Sequence, residues 1–223
     1  MQELRVEDIK SIILRINAII DSQQDFLLQL DSVMGDGDLG FTMTKGFAAA
    51  SREAGQSEEN SPGKMLIRIG MIIAKTSPST MGTLVATGFM KGGKVLGETE
   101  VIDPEALARF FESFVNSIME RGKSAPGNKT IVDTLYPAAE AFRAAVNNHE
   151  SLNSAITAAR DASLKGLEAS TQMKAQHGRA AYYQENSIGR QDGGATVGTY
   201  IIEGFYQHIT SLADIPFGKE NTP

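Results

Sequence analysis

The chain has 223 residues, 41% of them hydrophobic, a formal net charge of −6 and no cysteine. That size suits one large domain able to bury a sizeable core, and the missing cysteines exclude disulfides, zinc–thiolate centres and cysteine nucleophiles. The acidic balance argues against a nucleic-acid partner, whose phosphates it would repel, although a local cation can reverse the sign at a single site.

The N-terminal stretch MQELRVEDIK has no basic region followed by an apolar one, so no secretion signal is expected. Ile9, Ile12, Ile13, Ile16 and Ile20 then form an apolar stripe at helical spacing. After an acidic turn, helices are predicted over 40–54, 63–75 and 81–96. Leu107, Phe110, Phe111, Phe114, Val115 and Ile118 make a further stripe. Asp103 is suited to cap that helix, Pro104 to open it and Gly122 to close it at the C′ position. Further helices are predicted over 130–146, 152–170 and 196–211. The apolar runs at 12–20 and 65–74 are broken by Arg15, Asn17 and Arg68, and neither reaches the roughly 20 residues of a membrane helix. No alternating strand is found. The expectation is a single all-α domain over 1–223 with about eight helices, made antiparallel neighbours by short loops. No membrane partner and a cytoplasmic location are expected. One loop, 172–194, is long enough to suggest a functional segment, and the polar tail after Asp214 is expected to fray.

The most informative stretch is Leu30-Asp-Ser-Val-Met-Gly-Asp-Gly-Asp-Leu-Gly40. Asp31, Asp36 and Asp38 fall within eight residues, and Gly35, Gly37 and Gly40 let the backbone turn tightly enough to converge them. Converged carboxylates repel unless a cation sits among them. Oxygen ligands without His or Cys point to Mg2+ or Ca2+ rather than zinc. An EF-hand is excluded because Phe47 stands where its late Glu belongs. A solvated acidic turn that caps helices is the alternative these residues alone leave open. Two other motifs are set aside. Gly122-Lys123-Ser124 imitates the end of a P-loop, but Ser117 replaces its first glycine and a helix precedes it. His149-Glu150 lacks the second histidine of a zinc-protease helix, and His177 and His208 have no partner cluster; His208 is expected on a helix face.

The acidic stretch resembles the LDxxxGDGDHG signature of the nucleotide-binding subunit, or C-terminal domain, of dihydroxyacetone kinases. Gly127-Asn-Lys-Thr-Ile-Val-Asp-Thr-Leu-Tyr-Pro-Ala138 resembles the family's GDKTMLDxLxPA segment. Gly178-Arg-Ala180 with Asn186-Ser-Ile-Gly-Arg-Gln-Asp-Gly-Gly-Ala195 resembles its GRAxYLGERSIGHxDPGA segment. The resemblance implies a closed barrel of eight antiparallel helices with the nucleotide at one end. It implies that Asp31, Asp36 and Asp38 hold two Mg2+ ions bridging the phosphates of ADP or ATP, with Arg179 close to those phosphates. Gly40 and Thr42 would offer donors at a helix start, and Thr80, Met81 and Gly82 would cover the phosphates from another. Gly122, Thr130, Ile131, Asp192, Gly193 and Gly194 would line the adenine and ribose pocket. The 172–194 loop is expected to close over the nucleotide. Singly, Arg179 reads as a surface ion pair, Thr130 as a helix cap and Gly193–Gly194 as a turn; their order around the acidic cluster favours a site.

The family's activity implies phosphoryl transfer to dihydroxyacetone held on a separate kinase subunit. The donor is either ATP or a phosphotransferase-system protein that recharges bound ADP. A non-catalytic, nucleotide-loaded regulatory module and a kinase subunit for another partner-held substrate stand as alternatives, and a homodimer is left open. Three departures bear on activity. Leu39 replaces the family's histidine, Met81 replaces a serine in a GGASG-like loop, and Gly193 replaces a proline.

Overall fold

The computed structural model describes residues 3–213, so the tail after Asp214 lies outside the described residues. The isoleucine stripe forms α1 (Val6–Ser22), with Ile9, Ile12, Ile13, Ile16 and Ile20 fully buried. The other predicted helices are present, with ends that differ by a few residues: α3 (Leu39–Gln56), α4 (Pro62–Thr76), α5 (Thr80–Leu96), α6 (Pro104–Gly122), α7 (Val132–Asn147), α8 (Leu152–Ser170) and α9 (Gly193–Ala213). One helix was not expected. α2 (Gln24–Met34) buries only Leu27 and Met34 and leaves Phe26 and Val33 exposed, so its apolar stripe is too thin to read as a period. Among the described residues the sole β-type pairing is an isolated antiparallel bridge between Leu4 and Ile102.

Local signals set several helix starts. Ser61, Ser79, Asp103 and Ser151 accept from the N–H groups of Lys64, Gly82, Ala106 and Ser154, which satisfies donors that no helical carbonyl can reach. The expected close of α6 is corrected. The helix runs through Gly122, and Lys123 takes the left-handed position with φ 50°. A Cβ on Gly122 would make ordinary contact with Leu84 Cδ2 at 3.4 Å, so space does not require glycine there.

Apart from α2, each helix packs on the next from α1 through α3 to α9, and α9 packs back on α1. The packing order is therefore cyclic around one continuous hydrophobic core. Its densest part is aromatic. Phe89, Phe110, Phe111, Phe114, Phe142 and Phe205 stack with ring centroids 5.0–6.5 Å apart, as edge-to-face or tilted pairs. α4 and α5 approach backbone to backbone: a Cβ on Gly63 would lie 2.4 Å from Gly97 O, and one on Gly70 would lie 2.7 Å from Ala86 O. Pro137, inside α7, cannot donate to Asp133 C=O. Gly166 of α8 packs onto that freed carbonyl, where a Cβ would fall 2.2 Å away.

The seam between α1 and α9 carries a polar clasp. His208, buried on α9, places Nε2 2.8 Å from Asp8 Oδ1 on α1. Burial pushes the Asp8 carboxyl up, but the bonds from His208 and the Arg5 N–H outweigh it, and the pKa ends below the ordinary value of 3.8. A depressed acid contributes stability above that ordinary value and loses it as pH falls through the folded pKa. Asp8→Asn should therefore lower stability by about 1.5 kcal/mol at pH 7. The gap between the two proteins should close as pH drops below 3.8, which urea titrations across that range will measure.

Candidate functional site

Glycines decide the shape of the acidic turn. Asp31 lies in the last turn of α2, Asp36 in the connecting loop, and Asp38 at the N-cap of α3. A Cβ on Gly35 would fall 1.9 Å from Asp31 Oδ1, so a side chain there would displace that carboxylate. Gly37 supplies the left-handed turn with φ +74°. Asp31 Oδ2 accepts the N–H groups of Asp38 at 2.9 Å and Leu39 at 3.2 Å, which leaves Oδ1 for another partner. One oxygen from each of Asp31, Asp36 and Asp38 lies within 4.8 Å of the others. The Asp38 carboxyl is pushed up, first by desolvation and then by the charges of Asp36 and Asp31. This donor set of three hard oxygens, with neither His nor Cys, fits Mg2+.

Arg179 opens a 3-10 segment, Arg179–Ser187, inside the long loop. Its Nη2 stands 2.8 Å from Asp36 Oδ2 while 65% of the side chain stays exposed. The loop is thus organised rather than bare. Lys174 pairs with Glu185 at 2.9 Å, and the Ala175 N–H donates to the buried Ser187 hydroxyl.

The cluster lines a cleft of about 1030 Å3. Thr80, Met81, Gly122, Thr130, Ile131, Arg179, Asp192, Gly193 and Gly194 line it together with the three aspartates. Gly40, Thr42 and Gly82 are not on its wall. A Cβ on Gly40 would meet Gln24 O at 2.3 Å, and one on Gly82 would meet Ser77 O at 2.0 Å. The Thr42 carbonyl accepts the Ser77 hydroxyl. These three residues hold helix starts close to neighbouring backbone. The starts of α3, α5 and α9 all reach the cleft, at Leu39, Thr80 and Gly193, and their dipoles favour an anion between them. Asp192 accepts the Ala195 N–H at 2.7 Å, and desolvation raises its carboxyl to about 6 despite that bond and the nearby Lys129 charge.

Sequence reasoning missed several supporting groups. Asp133 bridges the 127–130 turn, accepting from Gly127 N and Thr130 N at 2.6 Å each. Lys129 is buried at the cleft wall. Both lie within the segment that drew attention at 127–138, and the buried charge of Lys129 was visible only as a lysine beside Thr130. Two of the three departures, Leu39 and Gly193, are neighbours, and Met81 abuts the adjoining Gly194. A Cβ on Gly193 would lie 2.6 Å from Leu39 Cδ2, and one on Gly194 would lie 2.8 Å from Met81 Cε. A residue larger than glycine at 193 would have to push the tip of the Leu39 side chain aside.

The fold and the site together define an all-helical domain that gathers an acidic cluster and three helix starts around one cleft. Residues 33–207 match the DAK2 domain, and the chain belongs to that family. It is 29% identical over 182 residues to the ADP-binding subunit of the PEP-dependent dihydroxyacetone kinase of Escherichia coli, covering 82% of this chain and 87% of that one. It is 33% identical over 181 residues to D-erythrulose kinase of Mycolicibacterium smegmatis, covering 80% of this chain but only 31% of that longer one. The crystal structure of the C. freundii dihydroxyacetone kinase in complex with AMP-PNP and Mg2+ shares the fold, with a TM-score of 0.68 at 21% identity, over 89% of this chain and 33% of that one. These relatives are all kinases or kinase subunits by name.

Gly193 is the first residue of α9, a position that suits proline, yet Leu39 crowds it. Gly193→Pro and Leu39→Ala should each destabilise, while the pair together should be more stable than the sum of the single losses by about 1 kcal/mol. Thermal denaturation of the four proteins gives this coupling, and simple additivity would show that the two residues are independent.

Proposed function

We propose that this chain is a Mg-nucleotide-binding phosphotransferase subunit, which passes a phosphoryl group to dihydroxyacetone or a similar small keto-sugar held on a partner subunit or domain. The observation that carries the reading is the convergence of Asp31, Asp36 and Asp38 with Arg179 in a cleft onto which three helix starts open. Asp31, Asp36 and Asp38 would hold two Mg2+ ions, which supply charge neutralisation at the phosphates. Asp31 keeps its second oxygen bound to backbone N–H groups and so fixes the loop that bears the other two. Arg179 offers a planar fork suited to phosphate oxygens and reaches the cluster from the long loop. Thr130, Ile131 and Gly122 would wall the base and ribose end, and the whole chain would act as one nucleotide-binding domain.

The relatives support the chemistry and leave the acceptor open between a keto-triose and a keto-tetrose, since one is named for dihydroxyacetone and another for erythrulose. The E. coli subunit is named as ADP-binding and its kinase as PEP-dependent, which supports bound ADP here; a phosphotransferase-system protein that recharges it and ATP are the two donors proposed. Among the described residues no helix is long and apolar enough to cross a membrane.

Calorimetry with ADP and Mg2+ tests the site. Asp31→Asn, Asp36→Asn and Asp38→Asn should each weaken binding at least roughly tenfold, the order expected for a lost charge-assisted contact. Unchanged affinity in all three would overturn the metal assignment. The purified chain, supplied with ATP and Mg2+, should not phosphorylate free dihydroxyacetone until the substrate-holding partner is added. Robust turnover by the chain alone would overturn the partner-held reading.

A further inference from the structure

Lys129 is 2% exposed, one of the largest fully buried side chains in the molecule. It sits in a left-handed backbone conformation with φ 58°. Its Nζ donates to Ser170 O at 2.8 Å, Thr171 O at 3.2 Å and Arg190 O at 2.6 Å. An ammonium group has three hydrogens, so all of them are committed to carbonyls. Although Lys129 lines the cleft, it has no donor left for a ligand. Desolvation lowers its pKa, while the charges of Asp192 and Asp133 hold it up.

The three acceptors lie at the two ends of one loop. Ser170 and Thr171 close α8, where the last carbonyls carry the negative end of the helix dipole. Arg190 stands two residues before Asp192. These are the two feet of the loop that carries Arg179, and a bond from Gly189 N–H to Thr171 O at 2.7 Å clips them together. The neighbouring Asn128 holds the same loop one step inward, with its carbonyl accepting from Gln176 N–H at 3.2 Å and its Oδ1 lying 3.1 Å from His177 Nε2.

We propose that Lys129 is a positioning residue for the nucleotide site: by pinning both feet of the 171–190 loop to the cleft wall, it sets where Arg179 stands toward the phosphates. This rests on the reading of the cleft as a Mg-nucleotide site. A neutral side chain at 129 takes a donor from all three carbonyls; Ser170 O keeps the Met173 N–H and Thr171 O the Gly189 N–H, but Arg190 O loses its ammonium partner, so the tie between the feet and the cleft wall is lost. Arg179, whose side chain is otherwise held only at its tip by Asp36, then loses its fixed base. Lys129 touches no reacting atom, so its influence on binding must run through Arg179.

A double-mutant cycle read by Mg-ADP calorimetry tests this. Lys129→Met should weaken binding roughly tenfold, as for the loss of one charge-assisted contact. In an Arg179→Ala background, the same change should cost less than about twofold. A purely structural lysine would lower the melting temperature and leave the affinity of the folded protein alone, or would weaken both backgrounds equally; either result overturns the proposal. If Lys129→Met fails to fold, the cycle is run with Lys129→Gln, which keeps two donors. Failure of the wild-type chain to bind Mg-ADP defeats the nucleotide reading itself, whereas wild-type binding with additive losses defeats only the role given to Lys129.

Discussion

Three carboxylates held within 4.8 Å of one another repel at any pH that ionises them. At about 4 Å the cost is roughly 1–4 kcal/mol per pair between bulk-water and surface-like dielectric. Several groups at this end of the molecule counter that repulsion. Asp31 takes two backbone N–H groups from the start of α3, Asp36 takes the Arg179 guanidinium, and the starts of α3, α5 and α9 point their positive ends toward the same space. The close approach of Gly40 to Gln24 O keeps α3 near enough to α2 for the Asp31 bonds to form. α2, α3 and the long loop thus each bring a group that meets this cluster.

How much of this was legible in the sequence depended on whether the signal was local. The long helices were readable because their apolar residues repeat over several turns, as in α1 and α6. α2 was not, because a helix resting on the outside of the ring needs only Leu27 and Met34 inside. The acidic cluster was readable because its members are adjacent in sequence. Its glycines were only half readable. Gly35 and Gly37 shape the turn as composition suggests, but Gly40 and Gly82 serve backbone packing, and nothing in a sequence distinguishes a glycine that faces a ligand from one that faces a carbonyl. Lys129 was the least legible, since its three partners lie 41 to 61 residues away.

The departures from the dihydroxyacetone-kinase signature acquire a common explanation. Leu39 abuts Gly193, and Met81 abuts Gly194. Two apolar side chains from the starts of α3 and α5 thus rest on a glycine pair at the start of α9. The acidic cluster is untouched by this exchange, because the backbone bonds to Asp31 come from N–H groups whose presence does not depend on the side chain at 39.

The cyclic packing order has a consequence for how the chain reaches its native state. Neighbouring helices from α3 to α8 meet across short connections and can associate as soon as each is formed. The seam between α1 and α9 joins residues such as Asp8 and His208, 200 positions apart, and Arg15 and Ser211, 196 apart. Closing so long a loop is the entropically costly contact, and it is shortened in effect only after the intervening helices have packed. During synthesis α3 can cover part of the isoleucine face of α1 early, but the part that meets α9 stays open to water until α9 has emerged.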